Sequence, residues 1–188
     1  MGMNYFHQLG CRSTLWERAS TTTLVPWALS GLDLGDRTLE IGPGYGANIA
    51  ALRTRTAALS GLEIDAALAA RLRARHPGRL AVIDGDGTAM PLPDNDFSAV
   101  VAFTMFHHVP TPARQDDLFA EAFRVLRPGG VFAGIDGRDT LPFRLMHVGD
   151  VCVPVPPATL PARLKSAGFT DVEVRSNPTM FRFRARRP

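Results

Sequence analysis

Residues 39–48 read Leu39-Glu40-Ile41-Gly42-Pro43-Gly44-Tyr45-Gly46-Ala47-Asn48, an apolar run that breaks into three glycines at alternate positions. Glycine accepts the left-handed backbone of a tight turn and lets a ligand approach the main chain closely. The run at 37–41 therefore reads as a buried strand and 48–55 as the helix that follows. The free N–H groups at that helix's start face the turn. A strand, a glycine turn and a helix in this order imply an open α/β sheet whose ligands sit at the carboxyl ends of the strands.

The rest of the chain keeps the alternation. Strands are expected at 58–64, 80–83, 97–103 and 131–135. Asp65 caps a helix in which Leu68 and Leu72 share a face, and the helix at 115–126 aligns Leu118, Ala122 and Leu126. Arg127-Pro128-Gly129-Gly130 stops that helix with a turn, and Gly168 ends a last helix at 159–167. Strands at 171–175 and 180–185, joined by Ser176-Asn177-Pro178-Thr179, close the chain as a hairpin that adds an antiparallel edge. The expected fold is α/β: a Rossmann-like, doubly wound sheet of seven strands, mostly parallel, with an antiparallel C-terminal hairpin strand. With 188 residues there is room for one domain, residues 1–188. Within it, 1–36 forms an N-terminal helical lid segment on a core at 37–188. The proline-rich stretch at 153–161 is too short to divide it.

Composition excludes several classes. Apolar residues make up 45% and charged residues 21%, as in a globular chain and unlike a disordered one. Cys11 and Cys152 belong to no CxxC pair, which excludes a zinc ribbon, a disulfide scaffold and a thioredoxin-type site. No apolar run approaches the ~20 residues of a membrane helix. Residues 1–20 lack the apolar core of a signal peptide, and Phe6 stands where myristoylation at Gly2 would need Ser or Thr. A cytoplasmic protein, monomer or homodimer, is expected. The net charge of +3 is too small to indicate a nucleic-acid partner, and with Lys165 the only lysine, the arginine bias carries little weight.

The turn alone does not identify its ligand. Gly42-x-Gly44-x-x-Ala47 satisfies the dinucleotide pattern, and Glu63 follows Gly42 by 21 residues, where a carboxylate holds ribose hydroxyls. A tight turn with no ligand is the bland alternative. Two features favour a cationic adenosine. Asp86, in Gly85-Asp86-Gly87-Thr88-Ala89-Met90-Pro91, is placed to accept from an exocyclic amine. Glu40 puts a carboxylate where a pyrophosphate would be repelled and a sulfonium attracted.

On Glu40-Ile41-Gly42-Pro43-Gly44-Tyr45-Gly46, Gly61-Leu62-Glu63-Ile64-Asp65, Gly85-Asp86-Gly87 with Met90-Pro91, Phe103-Thr104-Met105-Phe106-His107-His108 and Arg124-Val125-Leu126-Arg127-Pro128-Gly129-Gly130, the chain resembles class I S-adenosylmethionine-dependent methyltransferases. It looks most like the small-molecule branch related to ubiquinone and menaquinone biosynthesis, over residues 37–136. The resemblance implies S-adenosylmethionine as cofactor and S-adenosylhomocysteine as product. Gly42, Gly44 and Gly46 would line the methionine part, with Glu40 and Tyr45 beside them. Glu63, next to Ile64, would hold the ribose, Asp86 and Gly87 the adenine, and the Phe103 backbone the amino group. Ser98 departs from the family, which usually has Asp there in a mostly structural role.

Absences narrow the substrate. Phe103-Thr104-Met105-Phe106 stands where enzymes that methylate nucleobase amines carry Asn/Asp/Ser-Pro-Pro-aromatic. The metal-dependent catechol type needs Asp at that place and an Asp-Asn pair one strand later, but Asp136 is followed by Gly137, so no metal is expected. The acceptor is read as a small molecule. If a hydroxyl is methylated, a base helps, and His108, then His107, are the candidates, although both are as well explained by packing. His147 and His7 are further candidates, and His76 is read as solvated. Phe181-Arg182-Phe183-Arg184-Ala185-Arg186 alternates as a strand with phenylalanines inward. Three other readings stay open: an RNA-directed methyltransferase using those arginines, a nicotinamide oxidoreductase, and a non-catalytic adenosine-ligand-binding protein.

Overall fold

A computed structural model describes residues 4–188, and the Gly2 modification signal lies outside them. Seven strands form one sheet: β1 (Arg37–Ile41), β2 (Ala58–Glu63), β3 (Ala81–Asp84), β4 (Phe97–Phe103), β5 (Leu126–Gly137), β6 (Thr170–Ser176) and β7 (Met180–Arg186). Their order is β3-β2-β1-β4-β5-β7-β6, with β1 to β5 parallel and β7 antiparallel to both β5 and β6. This is the expected doubly wound sheet, with one difference: β7 inserts between β5 and β6, so β6 is the edge. The side chains explain it. Phe181, Phe183 and Ala185 of β7 are buried, whereas no residue of β6 is. A strand with a large apolar face belongs inside the sheet.

The helices cover both faces. On one, α6 (Pro112–Val125), through Phe119, and α8 (Leu160–Ser166) pack over Phe97, Phe132 and Phe183. On the other, α3 (Val25–Ala28), α4 (Ile49–Leu52) and α5 (Ala66–Arg75) cover Val101, Ala133 and Ile135. Two helices precede α3: α1 (Tyr5–Cys11), and α2 (Thr14–Ala19), which runs through a π-helical turn at Ser20–Leu24 into it. A short α7 (Leu141–Met146) follows β5. Among the described residues no helix is long and apolar enough to cross a membrane.

Several boundaries differ from expectation for local reasons. The helix expected at 48–55 is only the four-residue α4, because the Gly46 N–H closes a turn on the Pro43 carbonyl at 2.8 Å and the Asn48 side chain caps nothing. The helix expected at 115–126 starts earlier, at Pro112, where the Thr111 hydroxyl accepts from the Arg114 N–H at 3.2 Å. It ends at Val125, and Arg127–Gly130 bulges within β5: Leu126 pairs with Phe97, and the next partners are Val131 and Ala99. Ser98 accepts the Arg37 N–H at 2.9 Å and donates to the Leu34 carbonyl at 2.6 Å, a structural role.

Gly134 of β5 pairs with Ala102 of β4, and an added Cβ there would stand 1.8 Å from the Ala102 carbonyl oxygen. β4 is paired on both sides and has no room to yield. Gly134→Ala is therefore expected to cost about 3 kcal/mol, measured as a lower urea midpoint; an unchanged midpoint would show that the two strands separate there freely.

Candidate active site

The carboxyl ends of the central strands open on one cavity of about 1110 Å³, at the upper end of the range for small-molecule sites. Its walls also include α1, α2 and α7. One end is built by the glycine turn. Gly42, Gly44 and Gly46 have φ of +65°, +55° and +83°, conformations that side chains rarely adopt. A Cβ on Gly44 would meet nothing within 4 Å, so the main chain there is open to a ligand. The Glu63 carboxylate closes this end, accepting from the Gly44 N–H at 2.9 Å and the Asp65 N–H at 3.0 Å. Burial raises its pKa, partly offset by those bonds. Beside it, Asp86 Oδ1 accepts from the Thr88 N–H and hydroxyl, both at 2.8 Å, and Oδ2 accepts from Arg114 Nη2 at 2.6 Å.

The other end is lined with imidazoles. Thr104, in the left-handed region at φ +51°, turns the chain out of β4 into a short 3-10 turn, Phe106–His108. The turn is held from behind by Gln115, buried on α6, whose Nε2 donates to the Phe106 carbonyl at 3.2 Å and the Val153 carbonyl at 2.8 Å. His107 Nδ1 lies 2.6 Å from Oδ1 of Asp136, which is fully buried near the end of β5. Asp136 also accepts the His107 and Gly137 N–H groups. His107 Nε2 faces His147 Nε2 at 3.1 Å, and His147 Nδ1 donates to the Phe143 carbonyl at 2.7 Å. His7, on α1, meets Asp150 Oδ2 at 2.8 Å through Nδ1. His108 Nδ1 meets the Val151 carbonyl at 3.3 Å. Burial, then the neighbouring imidazoles, pushes the His108 pKa down to about 3, and burial lowers that of His147.

Of the residues singled out from sequence, Gly42, Gly44, Tyr45, Glu63, Ile64, Asp86, Gly87, Phe103, His107 and His108 line this cavity. Glu40 and Gly46 do not. Gly46 packs behind the turn, where a Cβ would lie 2.9 Å from Leu72 Cδ2. Glu40 is buried beneath it, with Oε1 accepting from Asn48 Nδ2 at 2.7 Å and Oε2 without a partner. His76 is not solvated at its tip: its buried Nε2 has no partner and faces Gly46. Sequence reasoning missed Arg114, Gln115 and the pairing of Asp136 with His107. The last was accessible in principle, because residues ending β4 and β5 meet at one sheet edge.

The methyltransferase-domain family, type 11, matches residues 39–134, just over half of the chain. The chain belongs to this family of methyltransferases. A probable S-adenosylmethionine-dependent methyltransferase of Mycolicibacterium smegmatis is 37% identical over 136 residues, 68% of this chain and 49% of that protein. A fatty-acid O-methyltransferase of the same organism is 37% identical over 107 residues, 55% of this chain and 38% of that protein. The chain thus spans half or less of the length of these curated relatives. A solved S-adenosylmethionine-dependent methyltransferase of Archaeoglobus fulgidus shares the fold, with a TM-score of 0.73 at 17% identity over 98% of this chain and all of that one.

In this methyltransferase domain burial raises the Glu40 pKa from 4.5 to about 7. The folded state then holds a proton that the unfolded chain releases. The resulting stability is fully present below pH 4.5 and is lost as pH rises through about 7. Glu40→Gln removes this dependence and is expected to gain stability over wild type at pH 8 but not at pH 4.5, on the order of 3 kcal/mol. Urea unfolding at both pH values checks it; parallel curves for the two proteins would rule out a neutral Glu40.

Proposed function

We propose that this domain transfers a methyl group from S-adenosylmethionine to an oxygen of a small, partly apolar acceptor, without a metal taking part in the displacement. The observation that carries the reading is the buried Asp136–His107 pair, whose imidazole lines the same cavity as the glycine turn. The turn end fits the cofactor: open main chain over Gly44, and the Glu63 carboxylate at the end of β2 beside it. Bound there, the cofactor supplies an electrophilic methyl on a sulfonium. Glu63 would hold the ribose diol, and Asp86 the adenine amine, which would share Oδ2 with Arg114.

At the other end, Asp136 orients His107 so that Nδ1 carries the hydrogen and Nε2 offers a lone pair. His147, with Nδ1 committed to a carbonyl, offers its own lone pair to the same spot. A proton taken from an acceptor hydroxyl there is shared by two imidazoles and balanced by the Asp136 carboxylate. This favours His107 over His108, whose pKa of about 3 makes it a poor base. Met105, Val109, Leu118, Phe143 and Met180 give the space between the two ends an apolar lining. The fatty-acid relative points to the same kind of acceptor. Residues before β1 together with α7 serve as the lid of a single domain.

The RNA alternative loses its main support. Arg182 donates to the Trp27 carbonyl at 2.6 Å, Arg184 pairs with Glu173, and Arg186 donates to the Gly129 carbonyl at 2.8 Å. Each stitches the fold together.

Thermal unfolding tests the cofactor. S-adenosylmethionine or S-adenosylhomocysteine at ~100 times its dissociation constant adds roughly 2.7 kcal/mol, a rise of roughly 5–10 °C for this size, and NADH adds nothing. A shift with NADH alone would overturn the assignment. Asp86→Ala is expected to shrink that rise while leaving the ligand-free midpoint in place. Against a panel of phenols, aliphatic alcohols and fatty acids, His107→Ala is expected to lower kcat for hydroxyl acceptors by about 10²–10⁴ with cofactor affinity unchanged. Carboxylates, already ionised, lose far less; an equal loss for both would assign His107 to packing.

A further inference from the structure

The mechanism above uses His107, with His147 beside it, and leaves His7 and His108 at the same end of the cavity without a task. His7 comes from α1, His108 from the turn after β4, and His147 from the C-terminal end of α7. One ring nitrogen from each lies within 4.8 Å of the others. Their ring centroids are 4.4 Å apart for His7 and His147, 5.3 Å for His7 and His108, and 5.7 Å for His108 and His147.

The hydrogen bonds assign the tautomers. Backbone carbonyls only accept, so the Nδ1 atoms facing Val151 and Phe143 carry the hydrogens of His108 and His147. Asp150 claims His7 Nδ1 in the same way. That leaves the Nε2 atoms of His7 and His108 with lone pairs, and His147 Nε2 in contact with His107 Nε2 at 3.1 Å, a contact that a bound ion would replace. Imidazoles whose second nitrogen donates to a carboxylate or a carbonyl are the form in which histidine binds metal ions, with that donation fixing the ring and strengthening the ligand. Three such rings from three chain segments, with the Asp150 carboxylate bound to one of them, make a cationic guest favourable.

We infer that His7, His108 and His147 bind one divalent transition-metal ion of the zinc class through Nε2. Zinc–nitrogen bonds of about 2.0–2.1 Å in a tetrahedron place ligand atoms roughly 3.4 Å apart, so the rings draw together by an ångström or so when the ion enters. Three imidazoles leave a fourth position for water, and they tie the first helix and α7 to the end of β4. The ion also takes the lone pair of His147 and leaves His107 Nε2 as the unclaimed base. Only that last consequence rests on the proposed methyl transfer; the site itself does not. The sequence analysis expected no metal at all, on the ground that the catechol-type positions lack ligands; this site departs from that expectation and uses different residues.

The test uses the untagged full-length chain, stripped with chelator, in the absence of S-adenosylmethionine. Titration with Co²⁺, and with Zn²⁺ competing for it, should show one equivalent bound, with the intense visible absorption of a four- or five-coordinate cobalt site. His7→Asn and His147→Asn should each weaken binding at least about tenfold, while His107→Asn should keep it. Should the variants fail to fold, the wild-type chain still answers: one equivalent of Zn²⁺ should protect His7, His108 and His147 from diethylpyrocarbonate, mapped by peptide mass spectrometry. Absence of stoichiometric binding, or unprotected histidines, would overturn the site. Cofactor binding, measured separately by thermal shift, would be untouched by that failure.

Discussion

The parallel pairing of β1 with β4 governs the rest of the structure. The strand order reverses at that pair, running through β2 to β3 on one side and through β5 to β7 on the other. Connections leave in opposite directions there, and the carboxyl ends of the strands are left uncovered. Glu63, Asp86, Thr104 and Gly137 reach one cavity because they end, or follow, strands that share a direction. The apolar run 97–103 that builds β4 thus does more than fill the core: it fixes which way the chemistry faces.

Within the cavity, two electrostatic environments are separated by apolar wall. The turn end holds carboxylates, each satisfied by main-chain N–H groups or by Arg114. The far end holds lone-pair nitrogens whose opposite faces are committed to oxygen acceptors. Glu40 belongs to neither. It is a buried carboxyl under the turn, held through Asn48 to Ser20 on the N-terminal helices. It thereby couples the position of the turn to the segment that roofs it.

Much of this was legible in the sequence, and what was not has physical causes. Alternation of apolar runs with helical faces located all seven strands, because burial on both faces makes central strands nearly continuous in apolar residues. Asp65 behaves as the cap its position implies, accepting from the Ala67 and Leu68 N–H groups. The insertion of β7 was not legible, since pairing partners are set by which strand offers more apolar surface and not by chain order. Nor was the contact of Asp150 with His7, 143 positions apart in the chain, while that of Asp136 with His107, 29 apart, was readable only through the strand order that brings the ends of β4 and β5 together. Local spacing carries no trace of such pairs. Boundaries slipped where turns compete with helix, as at Gly46, and where a proline starts a helix earlier than the apolar pattern does, as at Pro112.

The two ends of the cavity also come from different stretches of chain. The turn end is drawn from residues 42–65 and 85–88, inside the stretch that the family shares. Of the imidazole end, His7, His147 and Asp150 lie outside that stretch. The imidazole end can therefore be altered from the flanks of the chain, while the glycine turn and the strands that carry it stay as they are.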